Sequence, residues 1–146
     1  MTDSDRATCA ALAGLLRAAA VLAVWGFALM CIAALVLALT MRSLSTTAAM
    51  SFGAVALLGA LERYFAFRLR LDQALFGELA RGDIVSLEAL DSALDRLGLR
   101  NAQPPADIRP LDDRVQGTRQ LMQRHAIVVV CQSAMFLLAL MTQDLS

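Results

Sequence analysis

The residues of this chain that could do chemistry lie at the ends of long apolar segments. Glu62 follows one such segment, and His125, the single histidine of the chain, precedes another. A carboxylate and an imidazole at the same depth in a membrane could handle protons, and neighbouring arginines could bind an anion or a substrate there. The members that we assign to this ionisable cluster are Arg17, Glu62, Arg63, Arg124 and His125.

A simpler interpretation of the ionisable cluster is a ring of solvated or paired charges where helices leave a membrane. Each member lies at the end of an apolar run, so we expect it at the rim and not at the midplane, where burial of a charge is costly. We therefore favour the boundary ring over a site for a proton, an anion, a lipid or a substrate.

Other reactive constellations are missing from the sequence. It has no GxSxG, HExxH or glycine-rich phosphate loop, and its 13 basic residues are all arginine, so lysine chemistry is excluded. Cys9, Cys31 and Cys131 have no CxxC spacing and are interpreted as small packing residues. We predict no catalytic residue, no metal ligand and no cofactor.

Three uncharged runs define the elements that would position these residues. They cover residues 18–41, 43–61 and 126–143, in a chain that is 58% hydrophobic with a mean hydropathy of +0.60. Because about 20 apolar residues cross a bilayer as a helix, we predict an all-α integral membrane protein with three transmembrane helices. The first run is too long for the roughly 7–15 apolar residues of a signal sequence, and we predict that it is retained.

The arginines indicate how these spans are oriented. Twelve fall in the tail 1–17 or in the segment 62–125, and only Arg42 falls on the other side. Positive residues concentrate in the cytoplasm, so we predict a cytoplasmic amino terminus and an external tail 144–146. Exclusive use of arginine is typical of GC-rich genomes, which favours a bacterial inner membrane.

The segment 62–125 is predicted to form a small cytoplasmic helical region. The second helix should continue to Arg81 and stop at Gly82, after which Asp83 could cap the next helix. A proline-containing loop at 100–110 precedes a helix that starts near Leu111 and rises into the third span. The middle helix has an apolar stripe that would dock a partner or close the bundle: Ile84, Leu87, Leu90, Leu94 and Leu97.

Two further surfaces are predicted from residue type. Arginines near the membrane should meet lipid headgroups, whereas the acidic tip of the cytoplasmic region argues against nucleic acid as a partner. The headgroup set is Arg63, Arg68, Arg70 and Arg119. Small residues that would allow close helix packing within the chain, with a second copy or with another protein are Ala49, Gly53, Ala56 and Ala60.

These features favour a non-catalytic accessory or scaffold subunit of an inner-membrane complex. Its partners would be membrane lipids and either other membrane subunits or copies of itself. One alternative is a small self-oligomerising, holin-like pore whose mouth is lined by Glu62 and nearby arginines. Another is a membrane enzyme or carrier for lipid-like substrates that uses the ionisable cluster.

Overall fold

The structure, a computed structural model, describes residues 2–40, 43–84, 86–96, 98 and 110–143, without the side chains of residues 89, 91, 93 and 143. This part of the chain consists of four helices and has no strand. They are α1 (Asp3–Thr40), α2 (Thr46–Arg81), α3 (Leu87–Arg96) and α4 (Leu111–Gln143). Arg42, Leu97, the tail 144–146 and all of the predicted proline loop except Pro110 lie outside the described residues.

Three of the helices, α1, α2 and α4, are long and apolar enough to cross a membrane. The prediction of an all-helical chain with three candidate membrane spans is therefore confirmed. Each of these helices also extends beyond its uncharged run, and α2 continues without interruption to Arg81 as expected. In the bundle, α2 packs against both α1 and α4, which also contact each other.

The ends of α2 are fixed by local hydrogen bonds. The hydroxyl of Ser45 accepts from the backbone N–H of Ala48 at 3.2 Å, which caps the helix start. At the other end Gly82 adopts a φ of 82°, a left-handed conformation that favours glycine, and its N–H donates to the carbonyls of Glu78 and Leu79. The predicted stop at Gly82 is confirmed.

The prediction that Asp83 caps the following helix is wrong. Helix α3 begins at Leu87, four residues further along the chain. The Asp83 carboxylate instead accepts a hydrogen bond from Arg81 Nε at 3.1 Å. Because this carboxylate turns back towards the end of α2, it is not placed to bond the first amides of α3.

The interior of the bundle has three successive zones along its axis. An extension core joins the start of α1 to the end of α2 and consists of Cys9, Leu12, Ala13, Leu16, Leu69, Phe76, Leu79 and Leu90. A polar layer follows, formed by Glu62, Arg63, His125 and Gln132. Beyond it, towards the turn between α1 and α2, lies an apolar layer of Leu29, Ala33, Phe52, Val55 and Ala139.

The apolar stripe of α3 packs on its own chain. Leu90 is buried in the extension core, and Ile84, Leu87 and Leu94 are partly buried against it. The described members of the stripe therefore help to close the bundle, which is one of its two predicted uses, and docking of a partner on this stripe stays a prediction.

Large apolar side chains cover the outside of the three long helices. Val21, Leu39, Leu57, Phe67 and Met141 are each more than two-thirds exposed. Monomeric soluble proteins rarely expose continuous apolar surfaces of this extent. A lipid environment accounts for this surface without further assumptions.

Candidate functional site

Helix periodicity brings the site residues to the centre of the bundle. On α4, Thr118, His125, Gln132 and Ala139 recur every seven residues, so they share one face, and all four are buried. On α2, Glu62 lies among the residues that face the bundle interior. Glu62 is 0% exposed and His125 is 1% exposed.

Glu62 contacts two of the other residues of the polar layer, Arg63 and His125. His125 Nε2 lies 2.9 Å from Glu62 Oε1. Arg63 donates to both carboxylate oxygens, from Nε to Oε2 at 2.7 Å and from Nη2 to Oε1 at 2.8 Å. Such a bidentate pair is among the stronger polar contacts in proteins, and here it compensates part of the loss of hydration of a buried carboxylate.

Arg63 is held on its other side by α1. Its Nη2 also donates to the backbone carbonyl of Ala23, and its guanidinium carbon lies 4.9 Å from the centre of the Phe27 ring. The Arg63 side chain is 33% exposed, so it reaches from the buried carboxylate towards the surface of the bundle. Arg63 thus links α1 to α2 at the level where His125 links α2 to α4.

The role of the His125 ring follows from that of its partner. With Glu62 as a carboxylate, which only accepts hydrogen bonds and is held by the Arg63 guanidinium, the ring nitrogen that contacts it, Nε2, is the donor. The other ring nitrogen, Nδ1, is buried and has no hydrogen-bond partner. In the neutral ring this nitrogen holds a bare lone pair, which can accept a proton or a hydrogen bond.

Gly26 makes room for the polar layer. A Cβ atom at this position would lie 2.9 Å from Glu62 Cγ and 3.1 Å from Gln132 Oε1, closer than side chains pack. Gln132 Nε2 donates to the Gly26 carbonyl at 2.9 Å, while its Oε1 is buried without a partner. The absence of a side chain on α1 therefore lets α2 and α4 place polar groups against its backbone.

A crevice reaches His125 between α1 and α2. The crevice is narrow and has room for about one water. It is lined by Leu16, Ala19, Ala20, Ala23, Ala66, Leu69, Arg70, Gln73 and His125.

The structure brings together three of the five residues assigned to the ionisable cluster. Glu62, Arg63 and His125 are in direct contact, whereas Arg17 and Arg124 are exposed and take no part in these hydrogen bonds. Within the expected boundary ring, Glu62 and His125 are paired but are not solvated. The sequence predicts a rim position because Glu62 follows the uncharged run 43–61 and His125 precedes the run 126–143, but the rotation of each helix turns both side chains inward.

Gln132 and Gly26 were not predicted as part of the site. Neither residue belongs to the ionisable cluster assigned from the sequence, and the role of Gly26 becomes visible only once its neighbours Glu62 and Gln132 are known. The signal that could have found Gln132 is its seven-residue spacing from His125 on one helix face.

The other predicted surfaces lie outside the polar layer. Arg68, Arg70 and Arg119 are exposed, as contact with headgroups would require, while Arg63 is engaged with Glu62. Of the small-residue stripe, Ala49, Gly53 and Ala56 are partly buried and Ala60 is exposed. The face of α2 that packs within the chain is the neighbouring one, with Phe52, Val55 and Gly59.

A second polar link joins α2 to α4 in the extension beyond the predicted span. Thr118 Oγ1 donates to Asp72 Oδ2 at 2.9 Å. Burial raises the pKa of the Asp72 carboxyl above 3.8, although the Thr118 hydroxyl and the charge of Arg68 act in the opposite direction. Burial likewise raises the pKa of the Cys9 thiol, which disfavours the reactive thiolate.

Comparisons with protein-family models, curated proteins and solved structures find no match to this chain. Within the part of the chain that the structure describes, no group of three His, Cys, Asp or Glu residues could hold a metal ion. The polar layer offers an ion pair, an imidazole with a free lone pair and an amide oxygen, a set suited to binding protons or water.

Proposed function

We propose that this protein is a non-catalytic subunit of a larger assembly in a bacterial inner membrane. It would cross the membrane three times, with its amino terminus in the cytoplasm and its carboxyl terminus outside. Support for this arrangement comes from three helices of sufficient length and hydropathy, from their apolar outer surface, and from the twelve-to-one distribution of arginine.

The observation that carries the proposal is the close packing of side chains in the described part of the bundle interior. Pockets for small molecules typically measure about 300–1,000 Å³ and enclose most of the ligand, whereas the crevice beside His125 admits about one water. On the far side of Glu62 the apolar layer packs the bundle with buried side chains such as Phe52 and Val55. This packing argues against a pore through one chain and against an internal site for a lipid-like substrate.

A face for a neighbouring subunit is proposed on α2. The small-residue stripe lies beside the face that packs within the chain, and a Cβ at Gly53 would meet nothing within 4 Å. Small residues at this spacing allow a second helix to approach closely in a membrane, where van der Waals packing drives association. With the stripe of α3 packed internally, this face is our leading candidate for assembly.

Assembly can be tested by enlarging the stripe. Complexes extracted from native membranes in mild detergent would be sized for the wild type and for a Gly53→Leu/Ala56→Leu variant. We expect the wild type to migrate in a complex and the variant to be released from it with its helical content unchanged. Ala134→Leu, at an exposed position on α4, is the matched control and should remain assembled.

Two results would contradict the proposal. Recovery of the wild type only as a single chain, with no partner and no second copy, would exclude a stable assembly. A complex that is unchanged in the Gly53→Leu/Ala56→Leu variant would show that assembly uses another surface.

The orientation has an independent test. In a variant whose three cysteines are replaced by alanine, a new cysteine is introduced at Ser43 or at Ser4, which are both exposed. Labelling of intact spheroplasts with a membrane-impermeant maleimide should modify Ser43→Cys and spare Ser4→Cys until the membrane is opened. The reverse pattern would overturn the predicted topology.

A further inference from the structure

The starting point is a buried lone pair that the fold leaves without a partner. His125 Nε2 is committed as a donor to the Glu62 carboxylate, so Nδ1 is the open position of the ring. A buried acceptor without a partner destabilises a fold, which makes its retention in a packed interior notable. Replacement of the ring by an apolar residue would remove this penalty.

The second observation is that His125 itself lines the crevice. Arg70 and Gln73 stand at the part of the crevice furthest from Glu62 along α2, and small or apolar side chains form the rest of its wall. A single water fits in the crevice and needs polar partners, and His125, Arg70 and Gln73 are the lining residues with polar side chains. The crevice therefore connects the buried ring with the exposed surface around Arg70.

The third observation is the packing on the other side of the polar layer. Beyond Glu62 and Gln132, the described residues form the apolar layer, including Leu29, Phe52 and Ala139. Water or a proton arriving at His125 from that side would have to cross closely packed apolar side chains. Access is thus one-sided, from the face that the arginine distribution predicts to be cytoplasmic.

We infer that the Glu62–His125 pair is a proton-binding site that is filled from this one face through a water in the crevice. A hydronium ion in the crevice gives its proton to His125 Nδ1, a new N–H bond forms, and neutral water remains. The Nε2–H bond is kept, and the resulting imidazolium is stabilised by the Glu62 carboxylate that it already contacts. Assembly into a complex does not require this property, so the inference goes beyond the proposed function.

Charged residues on the helices packed around His125 affect how stable its protonated ring is. From α2, Arg63 shares the Oε1 atom of Glu62 with His125, and Arg70 lines the crevice; both oppose a positive ring. The residues of α1 that line the crevice carry no charge, and on α4 the neighbouring Arg124 is exposed. Proton uptake changes the net charge of Glu62, Arg63 and His125 together from zero to +1. Because Arg63 and His125 contact the same carboxylate oxygen, the added charge should also affect Arg63.

The single histidine makes a direct experiment possible. The full chain, labelled with ¹⁵N-histidine and placed in lipid nanodiscs, gives NMR signals from only two ring nitrogens, which report where each proton is bound. As the pH is lowered, we expect Nε2 to remain protonated and Nδ1 to gain a proton. A ring with its proton on Nδ1 at alkaline pH, or one that gains no second proton before the bundle unfolds, would overturn the inference.

Glu62→Gln tests whether the carboxylate is the stabilising partner. This variant should take up the proton only at a roughly tenfold or greater proton concentration, because the imidazolium would lose an opposite charge and retain Arg63 nearby. A titration midpoint equal to that of the wild type would contradict the pairing. The backbone spectrum of the variant serves to verify that the bundle is retained.

The route is tested by filling the crevice. Ala20→Leu should slow exchange of the ring N–H protons with solvent by about tenfold or more, since it displaces the water that connects them. The same substitution at Ala34, exposed on the same helix, should leave exchange unchanged. If Ala20→Leu does not fold, Ala20→Val provides the smaller obstruction.

Equal exchange in folded crevice and control variants would exclude this route. Complex size, measured in parallel, separates the two proposals. Ala20→Leu should leave assembly intact, and Gly53→Leu/Ala56→Leu should leave the titration of His125 intact.

Discussion

The polar layer and the apolar layer are neighbouring parts of one bundle, but different interactions hold the helices together in each. In the polar layer, α2 is joined to α1 through Arg63 and to α4 through His125, by hydrogen bonds with defined donors and acceptors. In the apolar layer the contacts are made by side chains such as Phe52 and Phe136, whose ring centres lie 6.0 Å apart in an edge-to-face arrangement.

The difference matters because lipid is itself apolar. Side chains of the apolar layer can exchange helix contacts for lipid contacts with little change in hydration, so packing alone favours the bundle there. A Glu62 carboxylate turned towards lipid would lose its partners, and this penalty fixes how far each helix can rotate or slide. We conclude that the polar layer sets the register of the three helices and that the apolar layer mainly fills space.

The largest effect is expected for Glu62→Ala. Removal of one partner of a buried ion pair typically costs about 3–5 kcal/mol, because the other charge remains without compensation. Val55→Ala, in the apolar layer, should cost less, about 1–2 kcal/mol, since it removes packing only. Reversible unfolding in mixed micelles measures both changes, and equal losses would remove the distinction between the layers.

Gly26→Ala should have the next largest effect. The added methyl would overlap Glu62 Cγ and Gln132 Oε1 and should destabilise the fold by about 1–3 kcal/mol. Gly53→Ala is the matched control, because its methyl has free space, and it should be neutral or stabilise α2 by up to about 1 kcal/mol. Both are measured in the same unfolding assay, and a neutral Gly26→Ala would show that the helices are further apart than described.

Gln132→Leu should change stability little, within about 1 kcal/mol. The substitution removes the hydrogen bond to the Gly26 carbonyl and the longer one to the Val55 carbonyl, but it also removes an amide oxygen that is buried without a partner. The two effects oppose each other in a side chain of similar size. A loss above about 3 kcal/mol would indicate that the amide oxygen has a partner in the membrane, such as a bound water.

The smallest effect concerns Asp72 and pH. Because burial raises the pKa of this carboxyl in the folded state, the fold binds its proton more tightly than the unfolded chain does. The stabilising effect is complete below pH 3.8 and is lost as pH rises through the higher folded-state pKa. Asp72→Asn should flatten this part of the pH profile of unfolding, and a slope identical to the wild type would refute this origin.

The fold was more accessible to sequence reasoning than the site. Uncharged runs between charges such as Arg17 and Arg42 identify the candidate spans, because hydropathy depends on composition alone. The end of α2 at Gly82 could likewise be predicted from the sequence. The start of α3 could not be predicted in the same way, because the Asp83 side chain accepts a hydrogen bond from Arg81 instead of capping the helix.

To predict the site, one would have to know how each helix is rotated about its own axis. Arg17, Glu62 and Arg124 look equivalent in the sequence, since each flanks an apolar run, yet only Glu62 turns inward. Small residues on α2 also did not indicate which neighbour they face: Gly59, where a Cβ would meet Met30, lies on the face that packs within the chain, whereas Ala60 is exposed. A contact between residues 63 positions apart, as in the Glu62–His125 pair, depends on both helices at once.

A double-mutant cycle between Glu62→Ala and His125→Ala tests most directly that these two residues form a buried pair in direct contact inside the bundle. Unfolding free energies of the two single variants and the double variant would be measured under one set of micelle conditions. We expect an interaction energy of about 1–3 kcal/mol, as for groups in direct buried contact. Losses that add within about 0.3–0.5 kcal/mol, as for separate solvated charges at a membrane rim, would contradict the account.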